Sequence, residues 1–123
     1  MQTTTYHVII ADDQPGVRGL IARVVARTYP AVTITAVADG LEALRVFERH
    51  GADLLITNYN MPGLNGLQLA QHLRAQATTL PIVMVSASAG MAGHALAAGV
   101  TSFVAKPFTI TELAQTLRDL LQP

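Results

Sequence analysis

Polar side chains able to handle a cation or a phosphoryl group recur at the ends of apolar runs in this chain. Asp12-Asp13 closes the block Val8-Ile9-Ile10-Ala11, and Asn58 and Asn60 follow Leu54-Leu55-Ile56. Ser86 ends the run Pro81 to Val85, and Lys106-Pro107 ends Val100 to Ala105. Adjacent carboxylates beside a carbonyl-rich loop suit a hard divalent cation such as Mg²⁺, which takes oxygen ligands. A hydroxyl and an ammonium nearby suit the oxygens of a phosphoryl group. Each feature alone also has a plainer reading. Asp12-Asp13 can be no more than a cap on the helix that follows, Ser86 a solvated loop residue, and a lone lysine before proline carries little weight. Their recurrence at the ends of four different apolar runs points to one shared site.

The elements that must position them follow from hydrophobic period. Val17, Leu20, Ile21, Val24 and Val25 recur at helical spacing after Pro15, which costs nothing in a first turn. Val32 to Ala38 is rich in branched residues and predicts a strand. Asp39-Gly40-Leu41-Glu42 predicts a cap and a helix to about His50, with Leu44 and Phe47 inward. Asn58 to Gly66 is a loop with turn signals at Pro62-Gly63 and Asn65-Gly66, and Leu67 to Ala75 is the next helix. Met91 to Ala98 is a short, weakly amphipathic helix. Thr109-Ile110-Thr111-Glu112 is a capping box opening a last helix whose inner stripe is Ile110, Leu113, Ala114, Leu117, Leu120 and Leu121. Strand then helix, repeated through the chain, with strands too apolar for one-sided burial, implies a parallel sheet covered on both faces. In such open sheets, sites form beyond the carboxyl ends of the strands, where the polar residues above fall.

Composition removes several other readings. The chain has 123 residues, the span of one domain, half of them hydrophobic and therefore able to form a core. Eight basic residues balance eight acidic ones, which gives no electrostatic footprint for nucleic acid or an anionic membrane. The absence of cysteine excludes disulfides, thiolate metal sites and cysteine nucleophiles. The single lysine, Lys106, is followed by proline, so a Gly-Lys-Ser/Thr phosphate loop is absent. Ala75 to Ala105 carries no Asp, Glu, Lys or Arg, but Pro81 and several serines and glycines break it into pieces too short to span a membrane. Met1 to Tyr6 lacks the basic start and apolar run of a secretory signal, and a cytoplasmic location is the expectation. His7, His50, His72 and His94 show no metal-ligand spacing.

Taken in order, Val8-Ile9-Ile10-Ala11-Asp12-Asp13, Ala38-Asp39-Gly40-Leu41-Glu42-Ala43-Leu44, Asp53-Leu54-Leu55-Ile56, Asn60-Met61-Pro62-Gly63, Pro81 to Ala87 and Lys106-Pro107-Phe108 resemble the receiver domain of two-component response regulators. The resemblance covers essentially residues 1–123 as a single domain. It implies an α/β, flavodoxin-like (βα)5 three-layer sandwich with a parallel five-stranded sheet in the order 2-1-3-4-5. It implies that Asp12 and Asp13 hold Mg²⁺, with the backbone carbonyl of Asn60 as a further ligand. Ser86 matches the hydroxyl that moves toward the phosphoryl group and Phe103 the aromatic switch residue. Lys106 matches the lysine that pairs with acceptor and phosphate, and Lys106-Pro107 resembles the family's cis peptide. Implied partners are a sensor histidine kinase or a downstream signalling protein, docked on the face of fourth helix, fifth strand and fifth helix. No nucleic acid or membrane contact and a monomer or weak dimer are expected, since the fourth-helix stretch carries no charge for a salt-bridged dimer. Met91, Ala95 and Leu96 there form either an apolar docking patch or ordinary packing on the sheet.

One position departs from the family. Its phosphate acceptor is an aspartate at the end of strand three, where this chain has Asn58. A carboxamide oxygen is neutral and the amide nitrogen's lone pair is delocalised, so neither atom is a competent nucleophile toward phosphorus. The expectation is a receiver that cannot be phosphorylated at Asn58, with weakened Mg²⁺ binding. Two origins stay open: a natural receiver that signals without phosphorylation, or an ordinary one in which Asp was exchanged for Asn. Slow deamidation of Asn58 would restore the acceptor, although Asn65-Gly66 is chemically the more labile pair. The competing functions are an adaptor with a vestigial cleft and a small flavin or nucleotide binder. The latter lacks the G-x-G-x-x-G signature and any nucleophile–base pair.

Overall fold

The computed structural model describes residues 5–77 and 79–123. Five parallel strands, β1 (Tyr6–Ala11), β2 (Val32–Val37), β3 (Leu54–Asn58), β4 (Ile82–Ser86) and β5 (Ser102–Ala105), form one sheet in the order β2-β1-β3-β4-β5. Helices α1 (Pro15–Thr28), α2 (Gly40–His50), α3 (Gly66–Gln76), α4 (Ala92–Ala97) and α5 (Ile110–Leu120) alternate with them. This is the expected flavodoxin-like order.

The period of two along the strands divides the core. Val8, Ile10, Leu54, Ile56, Val83 and Val85 face one side, where Ile21, Val25, Leu113 and Leu117 of α1 and α5 cover them. Ile9, Leu55, Ile82 and Met84 face the other, under Leu44, Leu69, Leu73 and Ala95. Burial on both faces is why β3 and β4 are buried at every residue and read as continuous apolar runs.

Local chemistry sets the helix starts. The Asp39 side chain accepts from the Glu42 N–H at 2.7 Å. Asn65 with Gln68, and Thr109 with Glu112, form reciprocal capping boxes. Arg74 reaches from α3 to the Gly99 carbonyl with two nitrogens, at 3.2 and 2.7 Å, and ties α3 to the turn before β5. His7 lies within β1, its ring nitrogens 2.8 Å from the Gly51 carbonyl and 2.8 Å from Thr35 Oγ1, while His50 and His72 are exposed.

Several expectations need correction. Ile110 is 53% exposed rather than on the inner stripe. It is the first residue of α5 and lines a surface cleft together with Val24 and Arg27 of α1, and the buried stripe begins at Leu113. The fourth helix is shorter than Met91 to Ala98: Ala89–Met91 is a 3-10 turn and only Ala92–Ala97 is α-helical. Ala95 is fully buried in the core, so it cannot belong to a docking patch, whereas Leu96 is 55% exposed. β5 begins at Ser102 rather than Val100, whose N–H bonds back to Ala95 of α4. β3 runs on to Asn58, which makes the residue in question a strand residue.

Candidate functional site

Register places the site. Ala11 lies beside Thr57, Asn58 beside Val85, and Ser86 beside Ala105. The next residue along each strand is therefore carried to the same edge: Asp12 after β1, Lys106 after β5. There a cleft of about 390 Å³ opens, lined by Asp13, Asn58, Asn60, Ser86 and Lys106 among others. Asp12 is not part of the lining, but its carboxylate lies 3.8 Å from Lys106, which is. Of the residues singled out in the sequence, Phe103 and Pro107 stand apart from this cleft. Phe103 is half-buried against the second core and lines a separate cavity of about 470 Å³ with Leu96 and Thr116. Pro107 is exposed and follows Lys106 through a cis peptide.

Asp12 is fully buried. Its Oδ1 accepts from the Gln14 N–H at 2.9 Å, and its backbone carbonyl accepts from Arg18 at 2.8 Å. Gln14 precedes the first helical residue, so the Asp12 bond shapes the loop rather than capping the α1 N–H groups. That removes the plainer reading of Asp12. Its Oδ2 is buried with no hydrogen bond. The nearest cation is Lys106 Nζ at 3.8 Å, an ion-pair separation too long for a hydrogen bond. Asp13 is exposed at the rim.

Asn58 is 8% exposed, and its Nδ2 donates to the backbone carbonyl of Asn60 at 2.9 Å. A carboxylate has no hydrogen to give there. Ser86 is buried; its Oγ accepts from the Ser88 N–H at 3.1 Å, and its carbonyl accepts from the Lys106 N–H at 2.8 Å. Gly66 is pressed against this strand end. Its N–H donates to Tyr59 O at 2.8 Å, and a Cβ there would collide with the Asn58 carbonyl. The chemically labile Asn65-Gly66 pair is held on both sides, because the Asn65 Oδ1 accepts from Gln68 N at 2.9 Å.

The donors at this cleft are hard oxygens, as a magnesium ion requires, and the orphaned Asp12 Oδ2 is an atom such an ion would satisfy. The set is nevertheless incomplete. Asn58 is neutral, the Asn60 carbonyl is already bonded, and no cluster of three acidic, His or Cys side chains suited to a metal occurs among the described residues. Gln14 and Ser88 also line the cleft and were missed in the sequence. Their only signal is position, one residue past Asp12-Asp13 and two past Ser86.

Residues 8–118 match the family model of the response regulator receiver domain. The chain belongs to that family. This receiver is 34% identical over 119 residues to a chemotaxis protein CheY homolog of Campylobacter jejuni, covering 93% of this chain and 91% of that protein. It is 32% identical over 120 residues to the cyclic di-GMP phosphodiesterase response regulator RpfG of Xanthomonas campestris, covering 94% of this chain and 32% of that protein. Among solved structures, the chemotaxis response regulator CheY4 of Vibrio cholerae superposes with a TM-score of 0.83 at 27% identity, covering 96% of this chain and 100% of that one. The chain spans between 12% and 54% of the length of several curated relatives it matches. No helix among the described residues is long and apolar enough to cross a membrane.

Proposed function

We propose that this receiver takes part in two-component signalling without accepting a phosphoryl group at residue 58. One observation carries the reading: Asn58 ends β3 inside the cleft, with its amide nitrogen donating to Asn60. A nucleophile needs a free electron pair on an anionic or activated atom. The Asn58 nitrogen is committed as a donor and its oxygen is neutral, so no aspartyl-type phosphate forms. Asp12, Asp13 and the Asn60 carbonyl are the groups that would hold Mg²⁺, and with the third carboxylate missing they hold it weakly. Ser86, Phe103 and Lys106 keep the family's switch positions but lose the group to which they respond.

The partner is a sensor histidine kinase or a downstream signalling protein in the cytoplasm, docked on the face of α4, β5 and α5. Exposed Leu96 and the cavity beside Phe103 support that face, and α4 carries no charge for a salt-bridged dimer. The domain itself performs no catalysis and contacts neither nucleic acid nor membrane. Incubation with acetyl phosphate and Mg²⁺, read by intact mass, tests the central claim. The chain as it stands keeps its mass and the Asn58→Asp variant gains a phosphoryl group. Uptake of covalent phosphate at residue 58 of the unaltered chain overturns it.

A further inference from the structure

The two edges of the sheet are not alike. β5 is four residues long, whereas β2 at the opposite edge is six, as long as its neighbour β1. Five of those six, Val32, Thr33, Ile34, Thr35 and Val37, are β-branched, and no charged residue occurs between Arg27 and Asp39. Folded proteins ordinarily blunt an open edge with lysine, proline, a bulge or a short strand. β2 pairs with β1 in unbroken register and has none of these. Its hydrogen bonding alternates. The Ala31 and Val37 carbonyls accept from the Tyr6 and Asp12 N–H groups at 3.1 Å. Period two then turns Thr33 and Thr35 toward β1 as well, and turns the N–H and C=O of Val32, Ile34 and Ala36 outward. No bond from another element reaches those three among the described residues.

We infer that β2 is a self-association edge. A second copy of this chain pairs with it antiparallel about a two-fold axis at Ile34, giving one continuous sheet of ten strands, five from each copy. The strand matches itself in that register. Ile34 meets its own copy and Val32 meets Ala36 twice by symmetry, so every outward N–H and C=O finds a partner. On the other face Thr33 opposes Thr35, a cross-strand pair that is itself favourable. The flanking helices permit the approach. α1 packs on β2, and its Leu20, Arg23 and Arg27 line a cavity with Ile110 of α5. Helical period leaves the small side chains of Ala22 and Ala26 on the flank away from α5, and Arg18 is held on the Asp12 carbonyl. In α2, Glu48 accepts from Gln76 of α3, while His50 at the other flank lines a cavity of about 360 Å³ with Thr33 and Thr35. The two-fold axis sets α2 antiparallel to its copy, which turns Glu42 of one toward Arg49 of the other, an acid toward a base. Both β5 edges stay outermost, so each copy still offers α4, β5 and α5 to a partner and the pair binds bivalently. The inference does not depend on the chemistry at Asn58.

Sedimentation velocity tests it, between about 5 and 500 μM, a range that brackets a contact of small area. The unaltered chain passes from monomer to dimer across that range. Ala36→Pro is the edge variant. Ala36 is exposed and its N–H points away from β1, so proline there breaks no bond within the fold. Melting followed by circular dichroism checks that it folds. The variant stays monomeric throughout, while Leu96→Glu on α4 dimerises like the parent. Amide hydrogen exchange of the unaltered chain gives a readout free of substitution. The Val32, Ile34 and Ala36 amides slow about tenfold or more from the lowest to the highest concentration, whereas Thr33 and Thr35 are protected at both. A chain that remains monomeric at the highest concentration overturns the inference. So does a dimer that survives Ala36→Pro, one that is lost in Leu96→Glu, or one whose three outward amides exchange as freely as in the monomer.

Discussion

Replacing Asn58 with aspartate should weaken the folded state in the absence of divalent cations. The variant loses the hydrogen bond from Nδ2 to the Asn60 carbonyl, 2.9 Å in length, and sets a carboxylate against that carbonyl. A net loss of about 1 kcal/mol follows from the bond alone. The new carboxylate is as buried as Asn58, which is 8% exposed, and lies at the strand end beside the fully buried Asp12. Two like charges at such neighbouring strand ends repel by roughly 2–4 kcal/mol in a medium of effective dielectric ~20. Lys106, now shared between two acids, returns part of that. The expected cost is ~2–4 kcal/mol in EDTA, which corresponds to a melting point lower by roughly 10 °C for a chain of this size. Millimolar Mg²⁺ should recover most of it, since a ligand that binds only the folded state stabilises that state by mass action. Urea and thermal denaturation by circular dichroism, with EDTA and with Mg²⁺, measure both halves. A variant in EDTA within about 0.5 kcal/mol of the parent refutes the picture of a cleft balanced for a neutral residue 58.

Two further outcomes follow from packing elsewhere. The buried Tyr29 hydroxyl donates to the Leu117 carbonyl at 2.9 Å, and desolvation by burial, reinforced by Tyr6, pushes its pKa up to about 12. Because the folded value lies above the unfolded one of 10.0, stability is intact below pH 10 and falls by about 2–3 kcal/mol as pH rises toward 12. Tyr29→Phe should flatten that alkaline slope in pH-dependent urea midpoints while costing about 1 kcal/mol at neutral pH. Gly66→Ala should cost ~2 kcal/mol or more, because the added methyl meets the Asn58 carbonyl and Met84 Cε. Gly93→Ala in α4 meets open space and should stabilise by about 0.5–1 kcal/mol, which makes it the matched control in the same denaturation assay.

Most of the architecture was legible because strands buried on both faces leave an unambiguous apolar run, as in Leu54-Leu55-Ile56 and Ile82 to Val85. The sequence failed where tertiary position overrules period. Ile110 has the spacing of the α5 stripe but sits one turn before the sheet begins to cover it, so it is exposed. Ala95, on a helix too short and too bland to show a hydrophobic face, proved fully buried. The residues around the cleft could be listed from strand ends alone, since parallel register brings every carboxyl end to one edge. Their bonding could not. That Asn58 donates to Asn60, that Asp12 keeps an orphaned oxygen, and that Arg18 reaches the Asp12 carbonyl all depend on side-chain direction, which no spacing encodes. Phe103 was identified by resemblance, and its seat in the second core, away from the cleft, needed coordinates.

A domain that takes no covalent phosphate can change state only through differential binding. A ligand shifts a conformational equilibrium by as much as its affinities for the two states differ and no further. Under the proposed function, the free-energy difference that a phosphoryl group would supply inside the cleft comes from outside it. The elements able to respond lie at the far side of β5. Phe103 is half-buried between the second core and a cavity, and α4 is a six-residue helix behind a 3-10 turn with Ala95 as its buried residue. Short helices with few buried anchors open at low cost relative to the core. A partner that grips this face more tightly in one arrangement than the other can therefore set the state without chemistry at Asn58. On this reading the partner is the input to the domain as well as its target.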